Sequence, residues 1–121
     1  MSEPQRITER TFEFAVRIVK LCRVLDENPG VARTLSKQLI RSGTSIGANV
    51  ERSQAAQSSA DFVPKLEIAL KEARETQYWL KLLIAIEIVP ESRLLPLLVE
   101  TQELLKILAS IIVKTKQNRT H

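Results

Sequence analysis

Histidine, cysteine and tyrosine are nearly absent from this chain of 121 residues, which has one of each. The histidine, His121, is the last residue, where we expect a disordered end and not a base or ligand. Clustered Cys and His, the Glu-x-x-His pairs of di-metal bundles and a glycine-rich phosphate loop are all missing, so no metal site and no cofactor are predicted. The sequence therefore predicts that the protein is not an enzyme.

Turn residues and long apolar runs are also scarce. The chain has three Gly and five Pro, too few for a many-stranded sandwich or barrel. No run of roughly 18 to 20 apolar residues exists, so we predict no transmembrane span and no membrane partner. The lone Cys22 cannot form an internal disulfide, and we expect it to be a small packed residue. Because no segment resembles a signal peptide, a cytoplasmic location is expected.

Apolar residues make up 44% of the chain and recur at spacings of three and four. This periodicity predicts one domain over residues 1–121 with helices at about 11–28, 32–56, 60–87 and 92–116. Short connections favour antiparallel neighbours, so the predicted fold is all-α, an up-down-up-down four-helix bundle. Thr8 or Thr11 is expected to cap the first helix, Ser59 or Asp61 the third, and Ser92 the fourth. The tail from residue 117 onward is expected to fray.

The fourth helix has more leucine than one packing seam requires. Its adjacent leucines stand at positions 94/95, 97/98 and 104/105. The excess apolar width suggests a second buried face and hence self-association. A broad stripe that faces the core of the same chain explains the pattern equally well.

Two glycines, Gly43 and Gly47, lie inside the second predicted helix. Each costs roughly 1 kcal/mol relative to Ala in a helix interior. Because they stand four apart on one helix face, we expect them to allow close approach of another backbone. Ser42, Ser45 and Asn49 form an adjacent stripe that can donate and accept hydrogen bonds between helices.

Counting outward from a turn near residue 58 places Arg41 opposite Glu75, and Ser45 opposite Glu72. We therefore predict an interhelical pair between Arg41 and at least one of these carboxylates, and pairing of this kind outweighs acid–base catalysis by them. The predicted structural network comprises Arg41, Ser42, Ser45, Asn49, Glu72 and Glu75. The functional alternative is a ligand pocket between the second and third helices.

Positive charge is distributed unevenly, although its excess is only +4. No acid occurs between residues 31 and 50, where basic residues recur every fourth position along one helical stripe, and the first helix adds further cations. Such a stripe can contact the phosphates of RNA or DNA without reading bases. The candidate residues are Arg33, Lys37, Arg41, Arg17 and Lys20. The alternative is a solvated face with no ligand.

A family resemblance covers nearly the whole chain. It is most specific over two stretches: Arg41-Ser42 through Ile46, Asn49 and Glu51, and then Ser59-x-x-Phe62 with Ala69-x-x-Glu72-x-x-Glu75-Thr76. These residues resemble the 23S ribosomal RNA intervening-sequence proteins, also called four-helix bundle proteins. The resemblance implies an antiparallel four-helix bundle that assembles as a homopentameric ring. Relatives include the accessory variability protein of diversity-generating retroelements, a basic pentameric ring that binds nucleic acid and a reverse transcriptase.

No catalytic residues come with this family, so the resemblance implies none. Our leading hypothesis is a non-enzymatic oligomeric bundle that contacts RNA or DNA through the phosphate backbone. The alternative is a scaffold or adaptor that binds a partner protein, such as a reverse transcriptase, without nucleic acid.

Overall fold

The computed structural model describes residues 3–119. Over that range the chain forms four α-helices and no strand: α1 (Glu3–Leu25), α2 (Val31–Gln54), α3 (Ser59–Ala85) and α4 (Glu91–Arg119). The predicted all-α class and the predicted number of helices agree with this structure. His121, for which a disordered end was expected, lies outside the described residues.

Several predicted helix ends are wrong. α1 begins at Glu3 and not near position 11, since the apolar pattern already starts at the buried Ile7. Thr8 and Thr11 therefore lie inside α1, where the Thr11 hydroxyl donates to the carbonyl of Ile7 at 2.8 Å. Ser92 likewise lies inside α4. That helix continues through residues 117–119, which we expected to fray.

The connections between helices are short and sharply turned. Gly30 precedes α2 with φ 95°, a left-handed conformation that glycine adopts without steric cost. The N-cap of α3 is Ser58, one residue before the first expected cap, and its hydroxyl donates to Asp61 Oδ2 at 3.4 Å. Asp61 lies in the first turn of α3, where a negative charge is favourable to the helix dipole.

Contacts between neighbouring helices show that each pair is antiparallel. Cys22 near the end of α1 contacts Ser36 near the start of α2. The start of α3 meets the end of α4, where Lys116 Nζ donates to Glu67 Oε2 at 3.1 Å. The four helices enclose one core, whose largest fully buried side chains are Phe14, Ile7, Ile18, Leu25, Leu39, Ile46, Leu66, Leu80, Leu83, Leu94, Leu104 and Leu108.

The two glycines of α2 face α1, and this seam is tightly closed. A Cβ atom added to Gly43 would lie 2.9 Å from Ile18 Cγ2, and one added to Gly47 would lie 3.2 Å from the main-chain oxygen of Thr11. Both glycines are therefore needed for the helix spacing, as their sequence positions predict. By contrast, α1 and α4 make the least extensive contact of the four neighbouring pairs.

The leucines of α4 mostly belong to the core of the same chain. Leu94, Leu97 and Leu104 are buried, and Leu98 and Leu105 pack at the margin of the core. Leu95 is the exception, at 43% exposed. The broad core-facing stripe thus explains most of this pattern, while the most exposed apolar side chains lie elsewhere.

Candidate nucleic-acid interface

Arg41 on α2 reaches across to two carboxylates on α3. Its Nη1 donates to Glu72 Oε2 at 2.9 Å, and its Nη2 pairs with Glu75 Oε2. Glu72 is largely buried, whereas the side chain of Arg41 remains 51% exposed. Glu75 also accepts a hydrogen bond from the indole Nε1 of Trp79 at 3.2 Å. The folded chain therefore has the register between α2 and α3 that counting outward from the turn near residue 58 predicts.

Other members of the predicted network behave differently from one another. Ser42 bonds across the seam, since the hydroxyl of Thr76 on α3 lies 3.0 Å from that of Ser42. Ser45 and Asn49 do not bridge helices; Asn49 Nδ2 donates to the carbonyl of Ser45, one turn earlier, at 2.9 Å. The prediction that Ser45 and Asn49 bond between helices is thus wrong, because a local i to i−4 bond satisfies the amide first.

This polar seam has the features of a structural element. Among the described residues, every buried side-chain nitrogen and oxygen atom has a hydrogen-bond partner. Half-satisfied buried networks are costly, whereas a complete one fixes the register of the helices. Within the described part of the chain, this seam has no orphaned polar group that calls for a ligand, so the geometry beside Arg41 favours the structural interpretation over a ligand pocket. It also leaves Arg41, whose charge two carboxylates offset, the least available of the candidate phosphate contacts.

A second basic site lies on the other side of the bundle, between α1 and α4. There Arg17, Lys20 and Arg93 line a concavity of about 420 Å³. Its apolar walls come from Leu21, Val24, Pro96 and Leu97. Arg17, Lys20 and Arg93 are exposed, and within residues 3–119 none of them forms an ion pair. We call this site the α1–α4 concavity.

Arg33 and Lys37 are exposed on α2, at the end of the bundle where α1 finishes. Arg33 Nη2 donates to the main-chain carbonyl of Asp26 at 2.9 Å, which keeps its charge available. The five sequence candidates are therefore not one stripe in space. Arg17 and Lys20 share the α1–α4 concavity, Arg33 and Lys37 project from α2, and Arg41 is held at the α2–α3 seam.

Sequence reasoning missed two functional features of the α1–α4 side. One is Arg93, which completes the concavity. The other is the pair of Arg10 and Glu100, in which Nε and Nη2 donate to Oε2 and Oε1 at 2.9 and 2.8 Å. These hydrogen bonds raise the pKa of Arg10 above its ordinary value. No local spacing signals either feature, because both join the first helix to the last, and Arg10 and Glu100 are 90 positions apart in the sequence.

Two observations concern metal-ligating and nucleophilic side chains in the described part of the chain. No group of three or more His, Cys, Asp or Glu side chains is arranged to hold a metal ion within residues 3–119. Burial raises the pKa of the Cys22 thiol, and hydrogen bonding by the side chain of Ser36 opposes that shift only in part. A buried thiol of this kind is a poor nucleophile at neutral pH. No helix in this range has an apolar stretch long enough to cross a bilayer.

Comparison with known proteins shows a matching family and a closely similar solved structure. The family profile that matches residues 3–110 is described as 23S rRNA-intervening sequence protein. A crystal structure from Bacteroides thetaiotaomicron, a protein with unknown function from the S23 ribosomal protein family, has a TM-score of 0.84 and 45% sequence identity. That match covers 92% of this chain and 98% of the other. Among curated proteins, none matches this chain.

Proposed function

This chain belongs to the 23S rRNA-intervening sequence protein family, and from that premise we propose that it is a non-enzymatic, self-associating bundle that contacts the phosphate backbone of RNA or DNA. The observation that carries the proposal is the α1–α4 concavity, where cations from two helices converge and no carboxylate pairs with them in the described chain. Arginine and lysine in such a site neutralise phosphates and release counterions on binding.

The geometry of the concavity supports backbone contact over base reading. Its cations are long, exposed side chains, and its floor of Leu21, Val24, Pro96 and Leu97 has no hydrogen-bonding side chain to read base edges. Exposed aromatic residues that could stack on bases are absent from its lining. Binding is therefore expected to weaken steeply with salt and to discriminate little between sequences.

Self-association strengthens the electrostatic case. The family resemblance implies a homopentamer, and five copies of a +4 chain carry +20. A ring would repeat the α1–α4 concavity in every subunit, which raises the local potential and the rate of encounter with a polyanion. We propose this pentameric, cytoplasmic form as the active one.

A binding titration with matched charge variants tests the proposal. Fluorescence anisotropy at low salt would measure affinity for a structured RNA hairpin and for duplex DNA, beside light scattering for assembly. Arg17→Glu with Lys20→Glu reverses two charges in the concavity and should weaken binding at least about tenfold. Lys71→Glu with Lys81→Glu makes the same change in charge on exposed positions of α3 and should weaken binding only about two- to threefold.

Two outcomes would contradict the proposal. If the wild-type protein binds neither nucleic acid at low salt, the scaffold or adaptor function becomes the better hypothesis, with a partner protein such as a reverse transcriptase. If both double variants lose affinity equally, net charge alone explains binding and the α1–α4 concavity is not the site.

A further inference from the structure

The outer face shared by α1 and α2 carries several exposed apolar side chains. Phe12, Val16 and Val19 follow one another on α1 at helical spacing, and Phe12 is 66% exposed. Ile40 and Ala48 are exposed on the adjoining side of α2. We call these five residues the α1–α2 face. A contiguous apolar patch of this kind is typical of a protein–protein contact.

The close approach of α1 and α2 at Gly47 leaves a groove on the α1–α2 face. Because Gly47 brings α2 to main-chain contact with α1, a groove of about 250 Å³ forms beside Phe12, Ala15, Thr44 and Ala48. That groove is lined almost entirely by small or apolar groups. Its dimensions suit branched aliphatic side chains presented by another helix.

Charged side chains of opposite sign lie at the two ends of the α1–α2 face. Glu9 and Glu51 lie at the end where α1 begins and α2 finishes, and Arg23 lies at the end where α1 finishes. All three are exposed, and none takes part in an ion pair within the described part of the chain. A complementary surface should therefore be apolar in the middle, basic at the first end and acidic at the second.

The outward side of α4 has that arrangement. Glu91, Leu95, Val99 and Lys106 recur at spacings of four, four and seven, so they share one helix face. All four are exposed, and Val99 is 51% exposed. Lys106 is only loosely paired with Glu103 on its own helix, at 3.8 Å. We call these four residues the α4 stripe.

The heights of the two surfaces along the bundle axis also agree. The Arg10–Glu100 pair and the α1–α4 concavity, where Leu21 faces Arg93 and Leu97, fix the height of α1 against α4. On that scale, to within about one helical turn, Val16 and Val19 stand level with Val99 and Leu95. Arg23 stands level with Glu91, and Glu9 with Lys106.

From this agreement we propose that the α1–α2 face of one copy of the chain binds the α4 stripe of a second copy. In a cyclic assembly whose axis runs parallel to the bundle axis, rotation preserves height, so the level-matched residues meet: apolar against apolar, Arg23 against Glu91, and Glu9 with Glu51 against Lys106. The contact joins two different surfaces, and contacts of this type produce a ring when the rotation between copies closes. The inference rests on the self-association proposed above and names its surfaces. The α1–α4 concavity lies outside both surfaces and stays open to a polyanion.

Engineered cysteines test this contact directly. In a Cys22→Ala background, Val16→Cys combined with Val99→Cys places thiols on both surfaces of every copy. Mild oxidation should then produce a ladder of cross-linked species on a non-reducing gel, while either substitution alone should produce none. Val31→Cys with Val99→Cys is the matched control, because Val31 is 64% exposed but lies outside the α1–α2 face; it should give no ladder.

A second variant measures assembly without cross-linking. Phe12→Glu puts a charge into the proposed contact while leaving the core of the bundle intact, so light scattering should report a lower mass with unchanged helicity by circular dichroism.

The inference would be overturned if Val16→Cys alone formed cross-linked dimers, since this would show a face that binds itself. An assembly that gives no ladder and survives Phe12→Glu would also overturn it, with self-association intact. A wild-type monomer at micromolar concentration would instead refute the proposed self-association itself.

Discussion

On the side of α1 that faces α2, two glycines let the helices pack to main-chain contact, whereas on the side that faces α4 the helices stand further apart. A Cβ atom at Gly47 would lie 3.2 Å from the Thr11 carbonyl oxygen. Across the other seam, the long side chains of Arg10 and Glu100 span the gap with two hydrogen bonds. The helix α1 therefore packs tightly against α2 and less tightly against α4. We call the first contact the closed seam and the second the open seam.

The difference shows how side-chain size at a seam decides what its outer surface can do. The closed α1–α2 seam leaves no room for long side chains, so its exterior is a shallow apolar groove suited to another helix. The open α1–α4 seam leaves a concavity wide enough for Arg17, Lys20 and Arg93 to share. We infer that protein contact belongs to the first side and polyanion contact to the second.

Gly43→Val should have the largest effect, because it forces the closed seam open. Ile18, which a Cβ at Gly43 would touch at 2.9 Å, is fully buried and cannot move aside. We expect a loss of about 3 kcal/mol in the free energy of unfolding, the cost of overpacking a core. Urea unfolding at one fixed protein concentration measures it. Gln38→Val, at an exposed site of α2, is the control; an equal loss in both variants would mean that the seam is not closed.

Arg10→Met should have an intermediate effect, on the open seam. It removes the partner of Glu100, whose side chain is only 19% exposed, and leaves that carboxylate half-buried and unpaired. We expect a loss of about 1 to 2 kcal/mol, between the values for surface and buried ion pairs. Lys116→Met breaks the exposed pair with Glu67 and should cost less than about 0.5 kcal/mol. Equal losses in the same unfolding assay would show that the Arg10–Glu100 pair does not hold the open seam.

Features set by local spacing could be read from the sequence. The short turn near residue 58 fixes the count from α2 to α3, so the opposition of Arg41 and Glu75 follows by arithmetic. The glycine crossing follows from the spacing of Gly43 and Gly47, although the spacing does not say that α1 is the helix they face. The four-helix count rests on apolar periodicity in the same way.

Two kinds of feature could not be predicted from the sequence: those that depend on competition between hydrogen bonds, and those that depend on contact between helices far apart in the chain. Asn49 could bond across the seam or back to Ser45, and spacing alone does not rank the two; the local bond is formed. Arg93 joins Arg17 only because the first and last helices close the bundle. The early start of α1 is shown by the burial of Ile7, because a single apolar residue in the sequence does not reveal that it packs in the core.

Thiol reactivity should sharpen the comparison without relying on a change in stability. Cys22 lies on the closed side of α1, where burial raises the pKa of its thiol. A raised pKa means a smaller thiolate fraction at any pH below it, so the native protein should react slowly with a disulfide reagent at pH 8.

Val24→Cys in a Cys22→Ala background places a thiol on the open side, in the lining of the α1–α4 concavity. That thiol should react at least about tenfold faster, because it meets solvent and neighbouring cations that favour thiolate. In urea-unfolded protein the two rates should converge, since both thiols then have ordinary pKa values. Equal rates in the native protein would show that the two sides of α1 open equally often, and that the contrast between them is not maintained in solution.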